Sequence, residues 1–371
     1  MSIANKSNKS NKSNKSNKSS FDANELAHLG DDNSAFLSDA LDTSAASLND
    51  AWYTVDNELP KPVAQNQYRR LNDRHRNHLL VKALLAGLSY TLDTTNTNAP
   101  KAVINSGSQK LSLIFTKPDF PWNAQLKDLH ARRWHRDDRI AEIVLQQEDI
   151  LSFLGTAVPI SQQTAPWTAV LLDAIHDAIF EIEIEIKHAF SIPRPNMFSR
   201  QITPIIQTPA HSSFPSGHAT EAFGLAAVIN AISPKPDYVS GSSPLALRKL
   251  AARIADNRSF AGVHIPIDNH AGAILGDVLA ALMLEKLFQG TLYWPVDDNH
   301  RPRDLVFDAK EFAKGEQDDD DRANLKSDLI EYAWHEAPVR YEPVDDLTTK
   351  NKLSGILAWI AGEVKEELGK V

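Results

Sequence analysis

The chain of 371 residues contains no cysteine. This absence excludes disulfide bonds, thiolate catalysis and zinc sites built from cysteine. The sequence also lacks an excess of positive charge, because 39 Lys and Arg residues stand against 48 Asp and Glu residues, for a formal net charge of -9. No basic face is evident in the sequence, and we therefore do not expect nucleic acid to be a partner.

Long hydrophobic runs are missing as well. The N-terminus has no apolar segment of the kind found in secretory signals. The most apolar later stretch, residues 269–288, is interrupted by Asp277, Glu285 and Lys286. A membrane-spanning helix needs about 20 predominantly apolar residues, so this stretch is not expected to cross a bilayer. The lack of a signal and of spans predicts a cytoplasmic protein.

The N-terminal segment differs in composition from the rest of the chain. Residues 1–20 consist mainly of repeated Asn-Lys-Ser triplets. Such a polar, low-complexity run cannot bury enough apolar surface to become ordered, and we predict a disordered leader here. Residues 21–371 are long enough to build a sizeable core, and we predict that they form a single domain.

Apolar residues recur at helical spacing through most of residues 21–371, which predicts an all-α fold. The alternation in residues 181–186 resembles a strand, but the period of the flanking residues favours a helix there. Residues 93–120 are expected to be a long loop with one short strand at 111–115. The expected helices cover residues 68–92, 122–154, 166–190, 217–232, 244–262, 269–288, 324–335 and 350–369.

The strongest functional signal is a series of three short segments between residues 187 and 268. They read Lys187-x6-Arg194-Pro195, then Pro215-Ser216-Gly217-His218, then Arg258-x5-His264-x3-Asp268. Lys187, Arg194 and Arg258 supply three positive charges, and a guanidinium group can bind two anion oxygens at once. Ser216 and Gly217 begin a predicted helix, where backbone amides and the helix dipole attract anions. The set is typical of a site for a phosphate-like oxyanion.

The histidines of these segments suggest what happens to the anion. His264 can bond to the central atom of an oxyanion through one ring nitrogen if the other nitrogen is hydrogen-bonded, and Asp268 is the natural partner. His218 would then serve as a general acid or base. A further histidine, His211, lies in the loop that precedes His218 and must pass the same site.

Each segment has an ordinary alternative interpretation. Lys187 and Arg194 would be solvated charges on a helix face, and Ser216 would be a simple helix N-cap. His264 with its aspartate would be a local hydrogen bond, and His211 an exposed loop residue. The three segments together favour the oxyanion site, because their residue types complement one chemistry.

In this order the segments resemble the signature of the type 2 phosphatidic acid phosphatase superfamily, which includes the vanadium-dependent haloperoxidases and the bacterial class A acid phosphatases. The only departure is Asn257, where the superfamily usually has Ser. That Ser is not an anion ligand in the family, so we do not expect the change to affect the site. The resemblance implies a helical bundle, and the haloperoxidases have two four-helix bundles.

The resemblance implies two alternative activities. In a haloperoxidase, vanadate is the cofactor, His264 is the ligand to its metal, and hydrogen peroxide and a halide (bromide or iodide) are the substrates. In an acid phosphatase, no cofactor is required, His264 attacks a small phosphoester and His218 protonates the leaving group. In both, the anion-binding residues are Lys187, Arg194, Ser216, Gly217 and Arg258, with Asp268 orienting the ligand histidine.

We predict the haloperoxidase. No membrane spans are expected, the chain is longer than a minimal acid phosphatase core, and bromoperoxidase-like members carry a histidine at the position of His211. A catalytically silent anion-binding protein is the alternative from another class, but acid/base and ligand histidines have little use in pure binding. The choice of halide and the oligomeric state, a homo-oligomer included, are left open.

Overall fold

The structure is a computed structural model, and it describes residues 67–93, 101–106, 111–116, 122–158, 160, 162–233, 244–309, 339–342 and 355–369. Among the described residues, those from 77 onward lie in one compact unit and residues 67–76 belong to another. The predicted leader and the expected helix over 324–335 fall outside the described residues, so both stay predictions.

The described residues are mainly helical, which confirms the all-α prediction. The helices are α1 (Asp73–Leu85), α2 (Asn123–Arg132), α3 (Ile140–Leu145), α4 (Leu151–Leu154), α5 (Pro166–Phe190), α6 (Pro195–Phe198), α7 (Gly217–Ile232), α8 (Pro244–Phe260), α9 (Pro266–Phe288) and α10 (Gly355–Leu368). Helix α7 is central and packs against α5, α8 and α9. The second bundle implied by the resemblance stays a prediction.

Helix α5 brings a cation into the interior. It begins at Pro166, and proline is well tolerated there because the first N–H groups of a helix have no partner within the helix. Its buried face recurs every three or four residues and continues through Ile182 and Ile186, so the residues 181–186 are helical as predicted. The same face ends at Lys187, which is therefore buried, and the helix stops at Ser191 in a left-handed conformation.

Helices α7 and α9 approach each other at two glycines. A Cβ on Gly276 would lie 2.3 Å from the carbonyl oxygen of Thr220, and a Cβ on Gly272 would lie 2.4 Å from that of Ser216. Only a residue without a Cβ fits such backbone contacts. These glycines hold the start of α7 against the first turns of α9, where Asp268 lies.

Two of the predicted helices are wrong in part. The helix expected over 68–92 ends at Leu85, because Gly87 adopts a φ of 82° and the chain turns into a strand. The long helix expected over 122–154 is interrupted by 3₁₀ turns at Arg133–His135 and Asp137–Arg139. There Arg136 donates to the carbonyl oxygens of Phe260 (2.5 Å) and Thr203 (2.9 Å), so tertiary contacts override the helical pattern.

Where a long loop was expected over 93–120, residues 101–106 and 111–116 form strands of a small sheet. The strand predicted at 111–115 is present, but its partner strands were not predicted. In both strands buried residues alternate with less buried ones, as in a half-buried sheet. The strands are β1 (Leu88–Asp93), β2 (Lys101–Ser106), β3 (Leu111–Thr116) and β5 (Leu305–Phe307), in the order β1-β2-β3-β5, with β3 and β5 parallel; β4 (Thr291–Tyr293) and β6 (Arg340–Glu342) form a separate pair.

Among the residues that the structure describes, no helix combines the length and the apolar composition needed to cross a membrane.

Candidate active site

The three sequence segments converge at the beginnings of α7 and α9. The Ser216 amide donates to the carbonyl oxygen of Asp268 (2.8 Å), which joins the second segment to the third. The Lys187 ammonium group donates to the Pro215 carbonyl oxygen and joins the first segment to the second. Residues far apart in sequence therefore form one buried polar cluster, as the oxyanion-site prediction requires.

His264 has a defined tautomer. Its Nδ1 lies 3.2 Å from Oδ2 of Asp268, and since a carboxylate only accepts, Nδ1 carries the proton. On the other side of the ring, Nη1 of Arg194 donates to Nε2 over 2.9 Å. Burial, reinforced by the charges of Arg194 and Lys187, lowers the pKa of His264 well below its ordinary value. The ring is therefore neutral, with the lone pair of Nε2 turned toward the cations.

Asp268 is held by more than the histidine. Its Oδ2 also accepts hydrogen bonds from Ser213 Oγ (2.6 Å) and from the backbone amide of Ile265 (3.2 Å). Burial raises the pKa of Asp268 to about 6, although the Ser213 hydrogen bond acts in the opposite direction. The carboxylate is thus ionised at neutral pH and fixes the orientation of His264. The sequence reasoning missed Ser213, because nothing local distinguishes it from the serine beside it.

Lys187 and Arg194 are buried, so they are not solvated charges on a helix face. Besides Pro215, the Lys187 ammonium group approaches the Ser212 carbonyl oxygen at 3.4 Å. Burial lowers the pKa of Lys187 to about 8. Arg194 donates to the carbonyl oxygens of His211 (3.2 Å) and Val263 (3.0 Å), and burial lowers its pKa to about 10. Both side chains are therefore charged at neutral pH.

Arg258 is the third buried cation, with 1% of its surface exposed. Its Nη2 donates to the Ile143 carbonyl oxygen (3.0 Å) and to Gln146 Oε1 (3.2 Å). Its Nε is buried and has no hydrogen-bond partner among the described residues. Burial lowers the pKa of Arg258 to about 9, so the guanidinium group stays charged at neutral pH. An unpartnered donor on a buried cation indicates room for an anion.

Ser216 does not cap α7 with its side chain, contrary to the alternative interpretation of this residue as a simple helix N-cap. Its side chain makes no capping hydrogen bond to α7, and its hydroxyl is buried with no partner among the described residues. Leaving a buried polar group unsatisfied costs about 1–3 kcal/mol, and binding an anion oxygen would remove that cost.

Gly217 is constrained by an acidic neighbour that the sequence did not indicate. A Cβ at this position would lie 2.6 Å from Oε1 of Glu183, a buried residue one turn before Lys187 on α5. The sequence prediction held that glycine lets the anion approach; the structure adds that glycine also makes room for this carboxylate.

His218 contacts the C-terminal end of α3. Its Nε2 is 3.0 Å from the backbone oxygen of Gln146 and must donate to it, which leaves the lone pair on Nδ1. Burial and the charge of Arg258 lower the pKa of His218 to about 3, so the ring is neutral. Gln146 was another residue that the sequence reasoning missed.

His211 belongs to the cluster and is not an exposed loop residue. Its Nδ1 lies 3.2 Å from Nη2 of Arg194 and 3.3 Å from the carbonyl oxygen of Ser212. Burial, together with Lys187 and Arg194, lowers the pKa of His211 to about 4. One guanidinium group therefore contacts both His211 and His264.

The residues present fit a tetrahedral oxyanion such as vanadate or phosphate. The cluster holds three buried cations, of which Arg194 contacts the unprotonated nitrogen of His264. Two buried donors, Ser216 Oγ and Arg258 Nε, lack partners among the described residues. Within the described residues, no group of three or more His, Asp or Glu side chains is arranged so that it could hold a metal cation.

Comparison with known proteins agrees with the motifs. A family model described as PAP2 superfamily matches residues 167–290, which include all three segments. This is the superfamily that the motifs resemble, so the predicted resemblance is confirmed. No curated protein sequence matches the chain.

Proposed function

We propose, from the premise that residues 167–290 belong to the PAP2 superfamily, that this protein is a vanadium-dependent haloperoxidase oxidising bromide or iodide with hydrogen peroxide. The superfamily includes both phosphatases and haloperoxidases, so membership alone does not choose between them. The observation that carries the choice is the contact of His211 with Arg194, which also contacts His264. A third histidine at the oxyanion site has no obvious use in phosphoester hydrolysis.

In the proposed enzyme, His264 would bind vanadate through Nε2. Lys187, Arg194 and Arg258 would neutralise the charge on its oxygens, and Ser216 Oγ and the Gly217 amide would donate hydrogen bonds. When bound, vanadate supplies a Lewis acid that activates peroxide toward halide. Asp268 keeps the proton of His264 on Nδ1, so that Nε2 stays available as a ligand.

Proton transfer is assigned to His218. Its Nδ1 has the free lone pair and can accept a proton from hydrogen peroxide as the substrate binds. A neighbouring anion stabilises the charged imidazolium, so occupation of the site would raise the pKa of His218 from its low value. His211, close to Arg194, would add a hydrogen bond on the side of the site where halide oxidation takes place.

A phosphatase is the second candidate, and the state of His264 favours it specifically. An unprotonated Nε2 backed by Asp268 is the arrangement of an activated nucleophile. Nε2 would attack the phosphorus of a small phosphoester and form a phosphohistidine. His218, once protonated, would give its proton to the leaving alkoxide, and water would then cleave the intermediate.

The test compares both activities in the purified protein. Bromide and iodide oxidation by hydrogen peroxide is measured after incubation with orthovanadate, and phosphoester hydrolysis is measured without it. We expect vanadate-dependent halide oxidation, and we expect phosphate to compete with vanadate for one site. Phosphoester hydrolysis with no halide oxidation would overturn the proposal in favour of the second candidate.

His211→Ala sharpens the comparison. We expect it to depress bromide oxidation far more than iodide oxidation, because iodide is easier to oxidise, and to change phosphoester hydrolysis little. His188→Ala is the matched control, since His188 is exposed on α5. Equal activity of both variants with both halides would contradict a role for His211 in halide oxidation.

A further inference from the structure

Asn257, the one departure from the superfamily pattern, lies in a buried polar network. Its side chain is fully buried, and Nδ2 donates to Gln146 Oε1 (3.0 Å) and to Glu142 Oε2 (2.9 Å). Its Oδ1 accepts a hydrogen bond from Nη1 of Arg139 (2.9 Å). Because partners are present on both sides of the amide, its orientation is fixed.

Gln146 connects this network to two residues of the candidate active site. Its side-chain Oε1 accepts from Asn257 and from Nη2 of Arg258 (3.2 Å). Its backbone oxygen accepts from Nε2 of His218 (3.0 Å). With 1% of its surface exposed, Gln146 is excluded from water, so these protein contacts determine its position.

The two contacts of Gln146 fix the orientation of Arg258 and the tautomer of His218, and the proposed chemistry requires both. The bond to Arg258 directs one edge of the guanidinium group toward α3, while its Nε has no partner in the part of the chain that the structure describes. The bond to His218 keeps the proton on Nε2 and the lone pair on Nδ1, the atom assigned to proton transfer. We do not expect Gln146 to touch the anion itself. Its side-chain oxygen is bonded to Arg258 and its backbone oxygen to His218, and these two residues are the ones expected to contact the anion.

We propose that Gln146 is a positioning residue for Arg258 and His218 and that Asn257 holds it in place, an inference that rests on the proposed function. The Ser usual at position 257 could not replace this arrangement. A serine hydroxyl is shorter and has a single donor, whereas the Asn257 amide donates to both Gln146 and Glu142 while accepting from Arg139.

The test uses Gln146→Met, which keeps the length of the side chain and removes the amide. We expect vanadate and phosphate affinities to fall by about 10–100-fold, the range typical when a residue behind a ligand is lost. Gln147→Met is the matched control, because among the described residues the Gln147 side chain is hydrogen-bonded to the nearby Val144 carbonyl oxygen and to no residue of the candidate active site. Asn257→Ser should lower affinity in the same direction, and the double variant should lose less than the sum of both effects.

A merely structural role would not change the protonation of His218. Gln146→Met keeps the backbone oxygen that accepts from His218 Nε2, but it removes the Oε1 contacts with Asn257 and Arg258 that hold this oxygen in place. We therefore expect the ¹⁵N resonances of the His218 ring in Gln146→Met to move from a single Nε2-protonated form toward a mixture of tautomers, with a shifted pH profile of turnover. Unchanged anion affinity and unchanged His218 resonances would overturn the inference. If Gln146→Met fails to fold, the same measurements on Asn257→Ser decide.

Failure of the proposed function is distinguishable from failure of this inference. In the first case the parent protein shows no vanadate-dependent halide oxidation, although anion binding in Gln146→Met can still fall. In the second case the parent is active, and Gln146→Met binds vanadate and phosphate as tightly as the parent.

Discussion

The buried ammonium group of Lys187 makes a specific prediction about how anion affinity depends on pH. Burial lowers the pKa of Lys187 to about 8 in the free site. A bound anion stabilises the protonated lysine and raises that pKa. Below pH 8 the lysine is already charged, so binding takes up no proton. Above pH 8 binding must bring a proton with it, and the affinity should fall by up to about tenfold per pH unit.

The other cations do not produce the same step. The pKa of Arg258 is lowered to about 9 and that of Arg194 to about 10, both by burial, so both residues stay charged through pH 8. The loss of affinity that begins near pH 8 is therefore assigned to Lys187 alone.

Sulfate is the appropriate probe, because its charge does not change between pH 6.5 and 9. Calorimetry in two buffers of different ionisation enthalpy counts the protons taken up on binding. We expect a count near zero at pH 6.5 and about one half at pH 8, where Arg258 and Arg194 are still charged. Lys187→Met should bind sulfate more weakly at pH 7 and show no step near pH 8, while Lys127→Met, at an exposed position on α2, should behave like the parent. An affinity that stays flat from pH 7 to 9, or a step that persists in Lys187→Met, would refute the reasoning.

Two further predictions concern the histidines and the helix contact. His264→Ala should abolish vanadate binding and all activity, whereas His218→Ala should bind vanadate nearly as well as the parent and turn over about 10²–10⁴ times more slowly. Calorimetry measures the affinities and steady-state assays measure turnover. An equal loss of vanadate affinity in both variants would contradict the prediction. Gly276→Ala should lower the free energy of unfolding by about 1–3 kcal/mol or more, because its Cβ would lie 2.3 Å from the Thr220 carbonyl oxygen. Gly362→Ala on α10, where no atom lies within 4 Å of the new Cβ, should be neutral or stabilising in the same denaturant titration.

The parts of the fold that the sequence predicted well are those determined by local residues. Helix α7 was predicted at its observed bounds, because a Pro-Ser-Gly turn precedes an uninterrupted apolar segment. Helix α9 begins at Pro266, three residues before the predicted start at 269, since proline is well accommodated in the first turn. The sheet was largely missed, because its strands are short and pair across long separations in the sequence.

The same distinction applies to the site. Its eight motif residues and His211 could be singled out from the sequence because each has a chemical type suited to an anion and a fixed spacing from its neighbours. Gln146 and Ser213 could not, because a glutamine at the end of α3 and one serine of a pair acquire their roles only through contacts with distant segments. Asn257 was judged unimportant for the same reason: its partners lie more than a hundred residues away in the sequence.

Gly217 has a structural role in addition to the one predicted from the sequence. The residue was identified as a glycine that admits an anion, yet the atom that a Cβ would meet first is a carboxylate oxygen of Glu183. Burial lowers the pKa of Lys187, and Glu183 is the largest influence that raises it again. Gly217 therefore makes room for the carboxylate that helps a fully buried lysine to stay charged at neutral pH. If the proposed anion site is correct, its affinity depends on that charge, and Gly217 would support anion binding through the lysine as well as through its own amide.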